Sequence, residues 1–348
     1  MELYILLFFC IFFITSIILL KHQKFEHFYG ELKRLIITPS PSVYSNSTLF
    51  TWYPNSLPYN LGKTIQSLYP INRVLEGDKS IQTIQRVSTT PYSLGIVSEH
   101  IISTLNPIVS THISLVSTIG YEQLLFLLPI EYTVSDVATH IKKSEIRFGV
   151  SSFQDPVYII LELIMKLYSI PLSDIKRRIY EVKFDTNEIK EAIDSRKIHM
   201  YVSLCSHPND ILKETIRDMG KSITISGIQL RENERAVLFP RATLFKIPLK
   251  DYELLDSDRT SDNTSNIQTL QFPLFLIANR NYPEEDISRL FYTLFTKSAW
   301  IKQNGDTTYI EQMKQWNSSS IFELLYYDNL IHPSVKSILI QNGYIGNK

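Results

Sequence analysis

Hydrophobic and polar positions switch between two periods along the chain. Short, nearly continuous apolar runs at Leu49–Tyr53, Arg73–Glu76, Leu94–Val97, Ile113–Thr118, Leu124–Pro129, Ile146–Val150, Ile179–Val182, His199–Leu204 and Phe272–Ile277 predict strands. Between many of them, apolar positions three and four apart predict helices over Tyr59–Tyr69, Ser80–Ser88, Pro156–Tyr168, Asn187–Ser195 and Pro208–Met219. Glu284–Lys302 and Ile321–Ile340 also read as helices. Pro283 opens the first of these, and Glu284, Glu285 and Asp286 fill the first turn, where the helix dipole favours negative charge. Strand and helix in alternation predict open α/β sheets, whose ligands sit at the carboxyl ends of the strands. A chain of 348 residues is long enough to divide them between two lobes. Asp256–Gln268 is polar without periodicity and reads as an exposed loop or a linker between lobes.

The N-terminal pattern has neither period. Residues 3–20 run without a charge, and Thr15 and Ser16 are the only conventionally polar members. At ~1.5 Å per residue this run matches the ~30 Å of a bilayer's hydrocarbon. Glu2 precedes it and Lys21 and Lys24 follow, the reverse of the basic flank that opens a cleaved signal peptide. The expectation is a single-pass membrane protein with an uncleaved N-terminal anchor over 3–20 and a linker over 21–44. Lys21 and Lys24 point the rest of the chain to the cytoplasmic side by the positive-inside tendency, but so few charges leave the side open.

Composition removes some functional classes. Lys plus Arg and Asp plus Glu both total 35, so no basic footprint marks a nucleic-acid partner. Of the two cysteines, Cys10 lies in the apolar N-terminal run and Cys205 stands alone in the body, which leaves no intradomain disulfide. The eight histidines are scattered, without the spacing of a zinc site. Gly-x-Ser-x-Gly, a phosphate-binding glycine loop and a dinucleotide fingerprint are all missing. The sequence therefore predicts no catalytic residues, no metal site and no cofactor.

One short stretch, "SLCSHPNDIL" over Ser203–Leu212, places His207, Pro208 and Asn209 at the exit of an apolar strand. Together with "YNLGKTIQ" (Tyr59–Gln66), "EGDKSIQTIQRVSTTPYSLGIVSEH" (Glu76–His100), "IRFGVSSFQDPVYIILELIMKLYSI" (Ile146–Ile170) and "IKEAIDSRKIHMYVSLCSHPNDILKE" (Ile189–Glu214), it resembles the TAXI-type solute-binding proteins of TRAP transporters. The resemblance implies an α/β, two-lobed, type 2 periplasmic-binding-protein-like fold, here preceded by one transmembrane helix. Lobe 1 would take residues 45–132 and 269–348, and lobe 2 residues 133–268. It also implies a small-molecule ligand, a carboxylate or amino acid in that family, and possible transporter or receptor membrane subunits. The ligand-binding residues carried over are Tyr59, Ser80, Tyr121, Ser151, Ser152, Gln154, His207 and Asn209.

Each of these positions also has a plainer role. Asn209 and Ser80 suit helix N-caps, and Tyr59 and Tyr121 can simply pack their rings. The glycines of the family's opening loop are replaced by Ser56-Leu57-Pro58-Tyr59, and its Gly-Ser-Gly-Thr-Arg turn by Ser152-Phe153-Gln154-Asp155-Pro156. The second change removes the arginine fork that suits a carboxylate and puts an aspartate at the same helix end. A neutral, cationic or aromatic ligand is then as plausible as an acid. The reading is a membrane-anchored solute-binding or sensing protein that clamps a small molecule. The alternative is a ligand-free, anchored interaction module on the same fold.

Overall fold

The computed structural model describes residues 47–52, 56–69, 71–76, 80–103, 107–134, 137–252, 266–304 and 323–345. The expected anchor and linker lie outside these residues, as does most of the Asp256–Gln268 stretch. Among the described residues no helix is long and apolar enough to cross a membrane.

Among the described residues, ten strands form one continuous sheet. They are β1 (Thr48–Thr51), β2 (Arg73–Glu76), β3 (Ser93–Ser98), β4 (Ile113–Pro129), β5 (Phe148–Val150), β6 (Ile179–Glu181), β7 (Met200–Cys205), β8 (Ile223–Ser226), β9 (Thr243–Pro248) and β10 (Asn266–Asn279). The order is β2-β1-β3-β10-β4-β7-β5-β6, with β8 added to β4 and β9 to β10. Among the helices that accompany the sheet are α1 (Leu57–Leu68), α2 (Ser80–Thr89), α3 (Glu99–Ser103), α4 (Pro156–Leu167), α5 (Thr186–Asp194), α6 (Asp210–Met219), α7 (Glu284–Asn304) and α8 (Pro333–Gln341).

Two long antiparallel strands divide this sheet into lobes. The first part of β4 pairs with the last part of β10, and that part of β10 also pairs with β3. Farther along, β4 leaves β10 and pairs with β7 and β8, while the first part of β10 pairs with β9. Both strands thus start in one lobe and end in the other. The lobe divisions expected at 132/133 and 268/269 fall near the lobe 2 ends of these two strands.

Three groups of buried apolar residues form the core of the described chain. One lies in lobe 1, built around Leu94, Ile96, Leu115, Phe275 and Ile277, with α8 supplying Val335 and Leu339. The other two lie on opposite faces of the lobe 2 sheet. Alternate residues of β4 feed them, Leu124, Phe126 and Leu128 on one side and Leu125 and Leu127 on the other. Period-two alternation with both faces covered is the reason this strand reads as solid apolar sequence.

The helix starts follow local chemistry. Asp155 precedes Pro156, and its side chain accepts the Val157 amide at 3.0 Å, so α4 begins with a cap and a ring already fixed for helix. Ser56 does the same for α1 by accepting the Tyr59 amide at 3.3 Å, and Asn209 caps α6 through the Leu212 amide at 3.1 Å.

Candidate functional site

Strand register brings the two lobes together at one place. Ser98, the last residue of β3, is opposite Leu274 of β10, and Leu274 is opposite Gly120 of β4. On the other side Cys205, the last residue of β7, is opposite Gln123 of β4. The carboxyl ends of a lobe 1 strand and a lobe 2 strand therefore converge on Gly120–Gln123. Open α/β sheets bind ligands at such ends.

The converging side chains are unusually acidic for a buried region. Glu122 is only 1% exposed on β4 and its Oε2 has no partner among the described residues. Burial holds its carboxyl well above the usual range, the nearby Asp155 pushes in the same direction, and a hydrogen bond from Ser98 offsets part of this. The Ser98 hydroxyl also lies 3.2 Å from His100 Nδ1. Burial drives the His100 imidazole down to about 3, so it is neutral, and the lobe 2 Pro156 carbonyl beside it offsets only part of that effect. The His100 ring meets Phe272 edge to face at 5.7 Å, and Phe272 is directly opposite Glu122 in the sheet.

Two further acids, Glu323 and Glu99, each accept a hydrogen bond from a tyrosine. Tyr121 donates its hydroxyl to Glu323 Oε1 at 3.1 Å, and Tyr327 donates to Glu99. Burial, with the charge of Glu99 adding to it, pushes Glu323 up to about 7. Burial also raises Glu99, against the Tyr327 hydrogen bond and the positive charge of Arg241. The Arg241 guanidinium stacks 3.6 Å over the Tyr326 ring. Burial, with Glu122 and Asp155 adding to it, leaves the Cys205 thiol pushed up to about 12, which makes it an inert neutral group rather than a nucleophile.

The residues expected from sequence take several places. Ser151, Ser152 and Gln154 form the loop after β5. Ser151 donates to Asp155, Ser152 donates to Glu181 at 3.1 Å, and Gln154 accepts from Gln82 of α2 at 3.4 Å, a contact between the lobes. Ser80 is the first residue of that same helix. Tyr121 sits in the junction at Glu323. His207 is 9% exposed, and its ring is held within lobe 2: Nε2 lies 3.0 Å from Asp251 and Nδ1 3.4 Å from Tyr252. Asn209 is spent on its cap. Tyr59 lies in the first turn of α1 with Lys63 Nζ 5.6 Å from its ring.

Sequence reasoning passed over Glu99, His100, Glu122, Glu323 and Tyr327. A signal existed for two of these sites. Glu122 interrupts an otherwise apolar run, and Ser98-Glu99-His100 leaves β3 as Ser206-His207 leaves β7.

No protein-family model matches the chain, and no curated protein sequence matches it either. Solved structures do. MatC from Rhodopseudomonas palustris with bound malate superposes with a TM-score of 0.50 over 84% of this chain and 98% of its own, at 11% identity. The chain has a two-lobed periplasmic-binding-protein-like fold. The R. palustris protein Rpa4515 with adipate gives a TM-score of 0.46 at 13% identity, covering 88% of this chain and 99% of its own. A TctC solute binding protein from Polaromonas gives 0.42 at 9%, covering 82% and 96%. Likeness of this degree describes architecture, and the site must be read from this chain's own residues.

Proposed function

We propose that the protein is a solute receptor that closes its two lobes on a small molecule at the Gly120–Gln123 junction. The convergence of the β3 and β7 carboxyl ends there, with buried polar groups from both lobes, carries this reading. Bound solute favours the closed arrangement only through contacts that the open one lacks, and a junction built from both lobes supplies such contacts. The malate in MatC supports a small-molecule ligand in this fold. The apolar run at 3–20 supports a membrane anchor, and the sequence motifs support the TAXI-type subclass, with transporter or receptor subunits in the membrane as partners.

Thermal unfolding of the full chain against small carboxylates, amino acids, amines and nucleobases tests the receptor reading. A ligand at 100 times its Kd adds ~2.7 kcal/mol to the folded state and raises the midpoint. No shift with any compound would transfer support to a second reading, that of a ligand-free interaction module. One observation favours that alternative: Tyr121 and Tyr327 already donate their hydroxyls to Glu323 and Glu99 within the chain itself.

A further inference from the structure

Among the described residues, Glu122 keeps a buried carboxyl beside one hydrogen-bond donor, Ser98, and no positive charge. A carboxyl removed from water without a compensating partner costs several kcal/mol, and sites that keep one usually use it. Here Oε2 is fully buried and unpartnered among the described residues. The charged and titratable neighbours among those residues do not supply a positive charge. Asp155, at the start of α4, has the same sign, and Cys205 of β7 is a neutral thiol. His100, after β3, is neutral, and Arg241 acts on Glu99 and Tyr327 instead. The cross-strand partner on β10 is Phe272, flanked by His100 and by Phe239 at 5.5 Å. Around Glu122 stand a second carboxylate, a neutral thiol, a neutral imidazole and an aromatic ring, with no positive charge among them.

We infer that the solute is a small organic cation, an alkylammonium or guanidinium compound, whose N–H donors engage Glu122 with Asp155 as the second carboxylate. This rests on the receptor reading and specifies its ligand class. The chemistry matches on three counts. An ammonium or guanidinium group brings donors and no acceptors, its charge compensates two carboxyls, and its alkyl chain and charge both suit aromatic faces. An anion of the malate type would meet Asp155 at the α4 N-terminus, where that carboxylate already accepts the Val157 amide. The same geometry gives binding a proton signature. Glu122 holds its proton in the empty site, and a cation displaces that proton, so affinity rises with pH over the range in which the amine stays charged.

Isothermal titration of the full chain with putrescine and agmatine, against malate and adipate at fixed ionic strength, provides the test. The two cations should bind, with affinity increasing as pH rises while the amine stays charged, and with an enthalpy that depends on the buffer because a proton is released. Glu122→Gln keeps the shape and removes the charge, and should weaken them roughly 100-fold. Asp155→Asn retains the helix cap and should weaken them less. If Glu122→Gln fails to fold, Asp155→Asn and the pH profile still decide the matter. Binding of malate or adipate with no response to either cation would overturn the cation assignment and leave the receptor intact. Cation binding indifferent to both substitutions would overturn the site. No binding by either class would defeat the receptor reading and this inference together.

Discussion

Gly227→Ala should destabilise lobe 2 by at least about 3 kcal/mol, the upper end of what overpacking costs. A Cβ at this position would lie 2.1 Å from the carbonyl oxygen of Gln268, 2.9 Å from its carbonyl carbon and 2.7 Å from Thr269 Cβ. Two of those atoms are backbone and cannot rotate away. They belong to the part of β10 that pairs with β9, and the next residue, Thr269, donates its hydroxyl to the Leu124 carbonyl of β4. Relief therefore requires one of the two strands that join the lobes to shift. The urea midpoint of the variant should fall with little change in slope. A midpoint within error of the parent would show that Gly227 approaches β10 less closely than these distances state.

Glu323→Gln should make the protein more stable than its parent at neutral pH, and the gain should vanish in acid. The carboxyl of Glu323 is raised from 4.5 to about 7 by burial, with the neighbouring charge of Glu99 adding to the shift. Between those two values the unfolded chain has released the proton and the folded chain still holds it, so the folded state binds more protons and stability falls as pH rises. Below about 4.5 both states are protonated and no penalty exists. Above about 7 the penalty is complete, at most about 3 kcal/mol on a scale of 1.36 kcal/mol per unit. The glutamine amide would keep an acceptor for the Tyr121 hydroxyl and never ionise. The difference in unfolding free energy between variant and parent should thus grow from about pH 4.5 and level off near pH 7. Taking the difference also cancels the opposing slope of His100 and His207, whose imidazoles burial lowers and which cost stability as pH falls below 6.5. A difference that stays flat with pH would mean that Glu323 ionises freely.

The junction is one place where the sequence pattern misled. Ile113–Thr118 and Leu124–Pro129 read as two strands because Gly120, Glu122 and Gln123 break the apolar run, yet β4 is continuous from Ile113 to Pro129. Polar residues inside a buried strand contradict the period-two rule, and they occur where both lobes meet. Most other strands and most of the longer helices were legible, because burial on both faces and good caps leave plain marks, but the stretch read as one helix over Ile321–Ile340 holds a short turn at Asp328–Leu330 and a separate helix that starts at Pro333. β8 and β9 were not legible. β9 has an exposed, mixed pattern as an edge strand. His207 illustrates the limit of a motif. Its place after β7 is as the sequence suggests, but Asp251 and Tyr252, more than forty residues away, determine where the ring points.

Amide hydrogen exchange of the full chain tests lobe closure most directly, measured with and without whichever compound raises the unfolding midpoint most. Exchange should slow at both Ser98–Ile102 in lobe 1 and Val150–Val157 in lobe 2 when that compound is bound, because one solute is held by both strand ends. Protection confined to one lobe, or absent from both, would contradict closure of the lobes on a shared solute.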